Sequence, residues 1–309
     1  MSNLLFKYQE KDNDETKKII LDEEKQRGFE HTKPLFFDES YITLYNELLY
    51  NIKDITREIS FEYKNVDINY VKKSIKLWKK FGFCLQPVLY LHNIDEYENN
   101  KVKAFSKAST LRKVDKIPVE FEKIEDNAIK SYVDIIKISI NEYIFNFVNK
   151  IVVSDINNYI SSCIYNHEIV HTQQLYNTEF SNSILDDETL PIFFEEFFAY
   201  YLDSTLNTLN NLRNRRLYYL FDYFYEMFFK KNMNYKEVII TDMYIKSTMQ
   251  AISMFNIYLS GNYKIKKEML KEIRKIFSYD KTLQEVLLKY EVELNMVDKD
   301  VNKLRRIIY

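Results

Sequence analysis

Two histidines and a glutamate near the middle of the chain have the types and spacing of a metal site: His167-Glu168-Ile169-Val170-His171. On a helix, residues four apart stand one turn above each other on the same face. Both imidazoles can then reach one ion at the roughly 2.0–2.1 Å of a Zn–N bond. Glu168 is turned about 100° round the axis from His167, which sets it beside the ion rather than on it. A carboxylate in that place can take a proton from the attacking water as a general base. The surrounding residues suit a helix. Asp155 is a good N-cap residue, and neither Pro nor Gly interrupts residues 155–174. Ile156, Ile160, Cys163 and Ile164 form an apolar stripe that leads onto the histidine face and turns it inward. The competing explanation is a chance pairing of two ordinary helix histidines, so a third ligand decides between them.

Downstream, residues 191–203 read Pro191-Ile192-Phe193-Phe194-Glu195-Glu196-Phe197-Phe198-Ala199-Tyr200-Tyr201-Leu202-Asp203. Pro191 suits the first turn of a helix. Two acids then stand in an apolar, aromatic stretch, where a buried carboxylate is costly without a partner. A metal ion would be such a partner. The pentad followed by a helix containing Glu196-Phe197-Phe198-Ala199 resembles the gluzincin branch of zinc metallopeptidases, over about 155–203, roughly a sixth of the chain. The resemblance implies a zincin-like helical metalloprotease domain. It implies Zn2+ held by His167, His171 and a glutamate of the second helix, with Glu168 as the base. Glu196, three residues before the small Ala199, is the preferred third ligand, and Glu195 the alternative. The related branch with a third histidine does not fit, because Asn177 stands at that histidine's position and Gln174 at its glycine's.

Other residues have blander expected roles. Asp203 reads as an exposed helix carboxylate, and Glu179, Asp186 and Asp187 as loop or cap residues. Cys163 reads as a buried structural thiol. His31, His92, Tyr165, Tyr176 and Tyr200 are candidates for stabilising a tetrahedral intermediate. The run Arg213-Asn214-Arg215-Arg216 reads as a solvated helix face.

The elements that must position these groups are mostly helices. With 3 Gly and 4 Pro in 309 residues, a fold of many tight turns is disfavoured. Residues 1–33 are polar enough for a mobile arm or a loosely docked helix, followed by an apolar run at 35–37 and helical spacing over 41–61. The spacing predicts a helix over 68–81 ended by Gly82, a strand over 83–91 interrupted by Pro87, and a second strand at 117–121. Helices are expected at 127–150, 155–176, 191–210, 211–231, 236–259 and 263–295. The expected fold is mainly α (α+β), with a small mixed α/β region over 1–125 and a helical domain over 126–309 carrying the zinc site.

Bulk properties narrow the functions. Lys and Arg number 44 against 46 Asp and Glu, a net charge of −2, so no field draws in a polyanion and no nucleic-acid partner is expected. Cys84 and Cys163 form no ligand cluster, which favours a reducing interior. The first residues lack the apolar core of a signal peptide, and no apolar run reaches the ~18–20 residues of a membrane span. The expectation is a cytoplasmic zinc peptidase acting on a peptide or protein substrate, with signal-independent export left open. The alternative is a helical regulatory or interaction protein whose site binds metal without turnover or is vestigial.

Overall fold

The computed structural model describes residues 68–85, 88, 90, 113–122, 131–140, 143–154, 158–175, 184–202, 209–210, 212–213, 216, 235–278 and 280–292. The expectations for 1–33, 35–37 and 41–61 lie outside these residues. The described residues are mainly helical with a small sheet. The helices are α1 (Ile68–Lys80), α2 (Asn158–Leu175), α3 (Ile184–Leu202), α4 (Tyr235–Ser260), α5 (Tyr263–Phe277) and α6 (Leu283–Lys289). The strands are β1 (Val119–Glu122), β2 (Tyr132–Ile140) and β3 (Tyr143–Ser154). None of the described helices is long and apolar enough to cross a membrane. The chain divides into two units: Phe61–Glu179 with Phe198–Ser204, and Met1–Ser60 with Phe180–Phe197 and Thr205–Tyr309.

In the first unit the sheet has the order β1-β3-β2, with β1 parallel and β2 antiparallel to the central β3. This corrects the helix expected over 127–150. Runs of Ile and Val with aromatic residues, as in Tyr143-Ile144-Phe145-Asn146-Phe147-Val148, fit a pleated surface better than a helix. Short apolar runs also match helical spacing, so periodicity alone does not separate the two. Ile151, Val152 and Val153 are all buried, as residues of a central strand are when both faces are covered. Of the strand expected over 83–91, the described part shows an isolated parallel bridge from Tyr90 to Val148.

Helix α1 ends as its sequence foretells. Gly82 adopts φ 75°, the Phe83 N–H bonds the Trp78 carbonyl at 3.0 Å, and the Gly82 N–H bonds that of Lys79 at 3.0 Å, which is the Schellman arrangement. Trp78 is buried against Phe83 and Phe198, with ring centroids 5.3 and 5.0 Å away. Its indole N–H donates to Asn166 Oδ1 at 2.8 Å, and Asn166 Nδ2 donates to Ser74 Oγ at 2.9 Å. Because an orphaned buried polar group costs about 1–3 kcal/mol, this network locks α2 against α1 one residue before His167.

In the second unit, the Ile184–Phe197 part of α3 packs its rings onto α4. Phe193 meets Phe255 at 5.7 Å and Phe197 meets Tyr258 at 5.5 Å. The helix expected to begin at Pro191 begins at Ile184, so Pro191 sits inside it and withholds one backbone donor. Asp186 and Asp187 accordingly lie in the first turn and not in a loop, where negative charge favours the helix dipole. The single helix expected over 263–295 is two. Thr282 and Glu285 form a capping box that starts α6: Thr282 Oγ1 accepts from Glu285 N at 3.2 Å, and Thr282 N donates to Glu285 Oε2 at 2.8 Å. Between α4 and α5, a Cβ on Gly261 would fall 2.7 Å from Ile265 and 3.0 Å from the Ile257 carbonyl, so glycine is required there.

The buried carboxylate of Glu272 joins α5 to the turn and to α6. It is paired with Lys275 at 3.1 Å, Lys281 at 2.5 Å and Lys289 at 3.5 Å. The hydrogen bond from Lys281, helped by Lys275 and Lys289 against the effect of burial, holds its pKa at about 2, below the ordinary 4.5. A lowered folded-state pKa stabilises fully above the unfolded value and fades as pH falls through the folded one. Glu272→Gln should therefore cost on the order of 2–3 kcal/mol above about pH 5. That difference from wild type should shrink between about pH 4.5 and 2 in urea unfolding. A difference independent of pH would rule out the charge as its cause.

Candidate metal centre

Helix α2 belongs to the first unit. Every residue from Ser162 to Val170 is buried, and the helix packs on β3 and α1. His167 is 8% exposed and His171 half-buried. Their rings stand 4.8 Å apart at 71°, and the two Nε2 atoms face each other at 3.1 Å. Two nitrogens bound tetrahedrally to one ion at 2.0–2.1 Å lie about 3.3 Å apart. The two ring nitrogens are thus within hydrogen-bond distance of each other, at nearly the separation that a shared ion imposes. His171 Nδ1 lies 2.9 Å from Gln174 Oε1, on the far side of the ring. Glu168 is buried on the same helix.

The other sequence candidates fall as follows. His31, His92, Tyr176, Glu179 and Asp203 lie outside the described residues. Tyr165 is buried, and burial first, with Asp115 second, pushes its pKa up, so its phenol stays protonated. Tyr200 is half-buried beside Tyr201, with ring centroids 5.0 Å apart. Cys163 is buried and Cys84 exposed, and neither forms a disulfide.

In the second unit, α3 carries three buried carboxylates: Glu188, Glu195 and Glu196, at 7%, 1% and 3% exposure. Arg213 grips Glu196 with a fork, Nε donating to Oε1 at 2.9 Å and Nη2 to Oε2 at 2.7 Å. The same Nη2 reaches Asn256 Oδ1 at 2.9 Å. Arg216 Nη2 donates to Glu195 Oε2. The Tyr244 hydroxyl donates to Glu188 Oε1 at 2.9 Å, and next to it Thr189 donates to Gln250 at 3.0 Å. Burial pushes the Glu196 carboxyl above its usual range against the pull of Arg213 and Arg216. For Arg216, burial works against the charge but is outweighed, by Glu195 above all, so its pKa ends above the ordinary arginine value.

These pairs correct the solvated face expected for Arg213 and Arg216, while Asn214 and Arg215 lie outside the described residues. The Arg213 and Arg216 side chains are 15% and 14% exposed and serve as counter-charges to the acids of α3. The partners are 17 and 21 residues apart in sequence, so no local pattern announces them. Glu188 was not singled out from the sequence. Its signal is a position seven residues before Glu195, two turns along the same face, visible once the helix starts at Ile184 rather than at Pro191.

Comparison of the chain with protein-family models, with curated proteins and with solved structures finds no match.

If Arg213 is the counter-charge of Glu196, Arg213→Met leaves a buried carboxylate unpaired and should cost about 3–5 kcal/mol in urea unfolding. The double variant Arg213→Met with Glu196→Leu should recover most of that loss. A small single-variant effect, or a double variant no better than the single, would contradict the pairing.

Proposed function

We propose that this chain is a zinc-dependent hydrolase of peptide bonds with a zincin-like helical domain. The observation that carries the reading is the convergence of His167 Nε2 and His171 Nε2 at 3.1 Å on a buried helix. As third ligand we assign Glu188 in place of Glu196. Arg213 takes both oxygens of Glu196, whereas Glu188, a buried carboxylate of the same helix, accepts from the neutral Tyr244 hydroxyl. In this reading Glu196 is a structural ion-pair partner. Two imidazole nitrogens and one carboxylate oxygen make a donor set that suits zinc and leaves a position open for water and substrate.

When bound, zinc supplies a Lewis acid and brings the pKa of water at the site to about 7. With zinc bound, His167 and His171 would each present an Nε2 lone pair, and the proton that one Nε2 donates to the other in the zinc-free protein would be released. Tyr244 steadies Glu188 through its hydroxyl. Glu168 takes the proton as water adds to the scissile carbonyl, then gives it to the departing amine nitrogen. The substrate is a peptide or protein, with no nucleic acid involved, and the thiols of Cys84 and Cys163 favour the reducing cytoplasm.

The test is zinc stoichiometry by mass spectrometry alongside cleavage of a peptide library. Wild type should carry one zinc per chain, and His167→Ala, His171→Ala and Glu188→Ala should lose it. Glu168→Gln should keep the zinc and lose about 10²-fold or more of its cleavage. A wild-type protein that binds no zinc would end the metal reading. Zinc bound with no cleavage, and none lost in Glu168→Gln, would favour a regulatory metal-binding protein instead. Zinc retained by Glu188→Ala and lost by Glu196→Gln would return the third position to Glu196.

A further inference from the structure

We propose that Gln174 is a positioning residue that sets the tautomer of His171, an inference that rests on the metal reading above. Gln174 lies three residues after His171, on the same face of α2. Its Oε1 is 2.9 Å from His171 Nδ1. A carboxamide oxygen only accepts hydrogen bonds, so Nδ1 carries the imidazole proton and donates it. The neutral ring then has its lone pair on Nε2, the atom that faces His167 Nε2 at 3.1 Å. The other tautomer would place an N–H at the point where an ion must bind.

In the zinc-free protein His167 Nε2–H can donate to that lone pair, so Gln174 stands at one end of a chain of hydrogen bonds through both rings. Gln173 is buried and donates to Thr172 Oγ1 at 3.3 Å, and the Thr172 hydroxyl is turned to the Ile169 carbonyl at 2.6 Å. A glycine at position 174 would offer no acceptor at all. The helix therefore carries both the ligand and the group that orients it within one turn. Partners of this kind fix ring orientation and raise ligand basicity, and their loss typically costs 10–100-fold in metal affinity.

The test uses the full chain. Nitrogen-15 spectra of the zinc-free protein, taken above the ordinary histidine pKa of about 6.5, report which ring nitrogen of His171 is protonated. Wild type should show protonated Nδ1 and bare Nε2. Gln174→Leu, of similar size without the acceptor, should give a mixture of tautomers and weaken zinc binding about 10–100-fold in chelator competition. Gln174→Glu keeps an acceptor and should restore both readouts. Circular dichroism checks that each variant folds, and Gln174→Ala repeats the test if the leucine variant does not. An unchanged Nδ1–H tautomer in the folded leucine or alanine variant would overturn the proposal, as would unchanged zinc affinity. If wild type binds no zinc, the metal reading fails by itself, and the tautomer of the zinc-free protein still decides the role of Gln174.

Discussion

A helix buried on nearly every side cannot carry bare charges, yet α3 carries three carboxylates inside the protein. Desolvating a carboxylate costs several kcal/mol unless charge and hydrogen bonds are returned to it. That constraint organises the second unit. Arg213 and Arg216 are drawn out of solvent to meet Glu196 and Glu195, Asn256 of α4 takes a further Arg213 N–H, and Tyr244 of the same helix donates to Glu188. The polar contacts run along the aromatic packing of α3 on α4. They fix the rotation of the two helices, which interchangeable phenylalanines would leave loosely specified. Buried ion pairs are commonly no better for stability than apolar residues of the same size. Stability alone therefore does not account for three acids in such a helix.

The first unit solves a different problem, which is to hold two side chains still. α2 lies on the central strand β3, whose Ile151 and Val153 are fully buried. Asn166, next to His167, is tied to Trp78 and Ser74 of α1. Trp78 is in turn fixed by the Schellman end of its own helix and by Phe83 and Phe198. The backbone that carries the histidines is thus anchored by hydrogen bonds whose loss would orphan buried groups. Rigid backbone of this kind is what a metal site needs, since ligand atoms must be held within about half an ångström of their working positions.

The helix that brings His167 and His171 together was legible because its determinants are local. The i, i+4 spacing of His167 and His171, the absence of helix breakers over 155–174 and the helical pattern around Tyr235–Ser260 all depend on neighbours within a turn or two. So does the stop at Gly82. The strands β2 and β3 were read as helix because their mixed Ile, Val and aromatic runs satisfy both periods, and the pairing that decides between them lies across the sheet. The break before α6 was readable in Thr282-Leu283-Gln284-Glu285 but was masked by the apolar periodicity on both sides. The arginine partners of Glu195 and Glu196 are set by tertiary packing, so Arg213 and Arg216 looked like surface residues. Glu188 was hidden by Pro191, which marked a helix start that the chain does not use.

The most direct measurement is diffraction from zinc-loaded crystals on either side of the zinc absorption edge. One anomalous peak about 2.0–2.1 Å from both His167 Nε2 and His171 Nε2 is the expected result. Crystals that bind zinc elsewhere, or at only one of these nitrogens, would contradict a shared metal site.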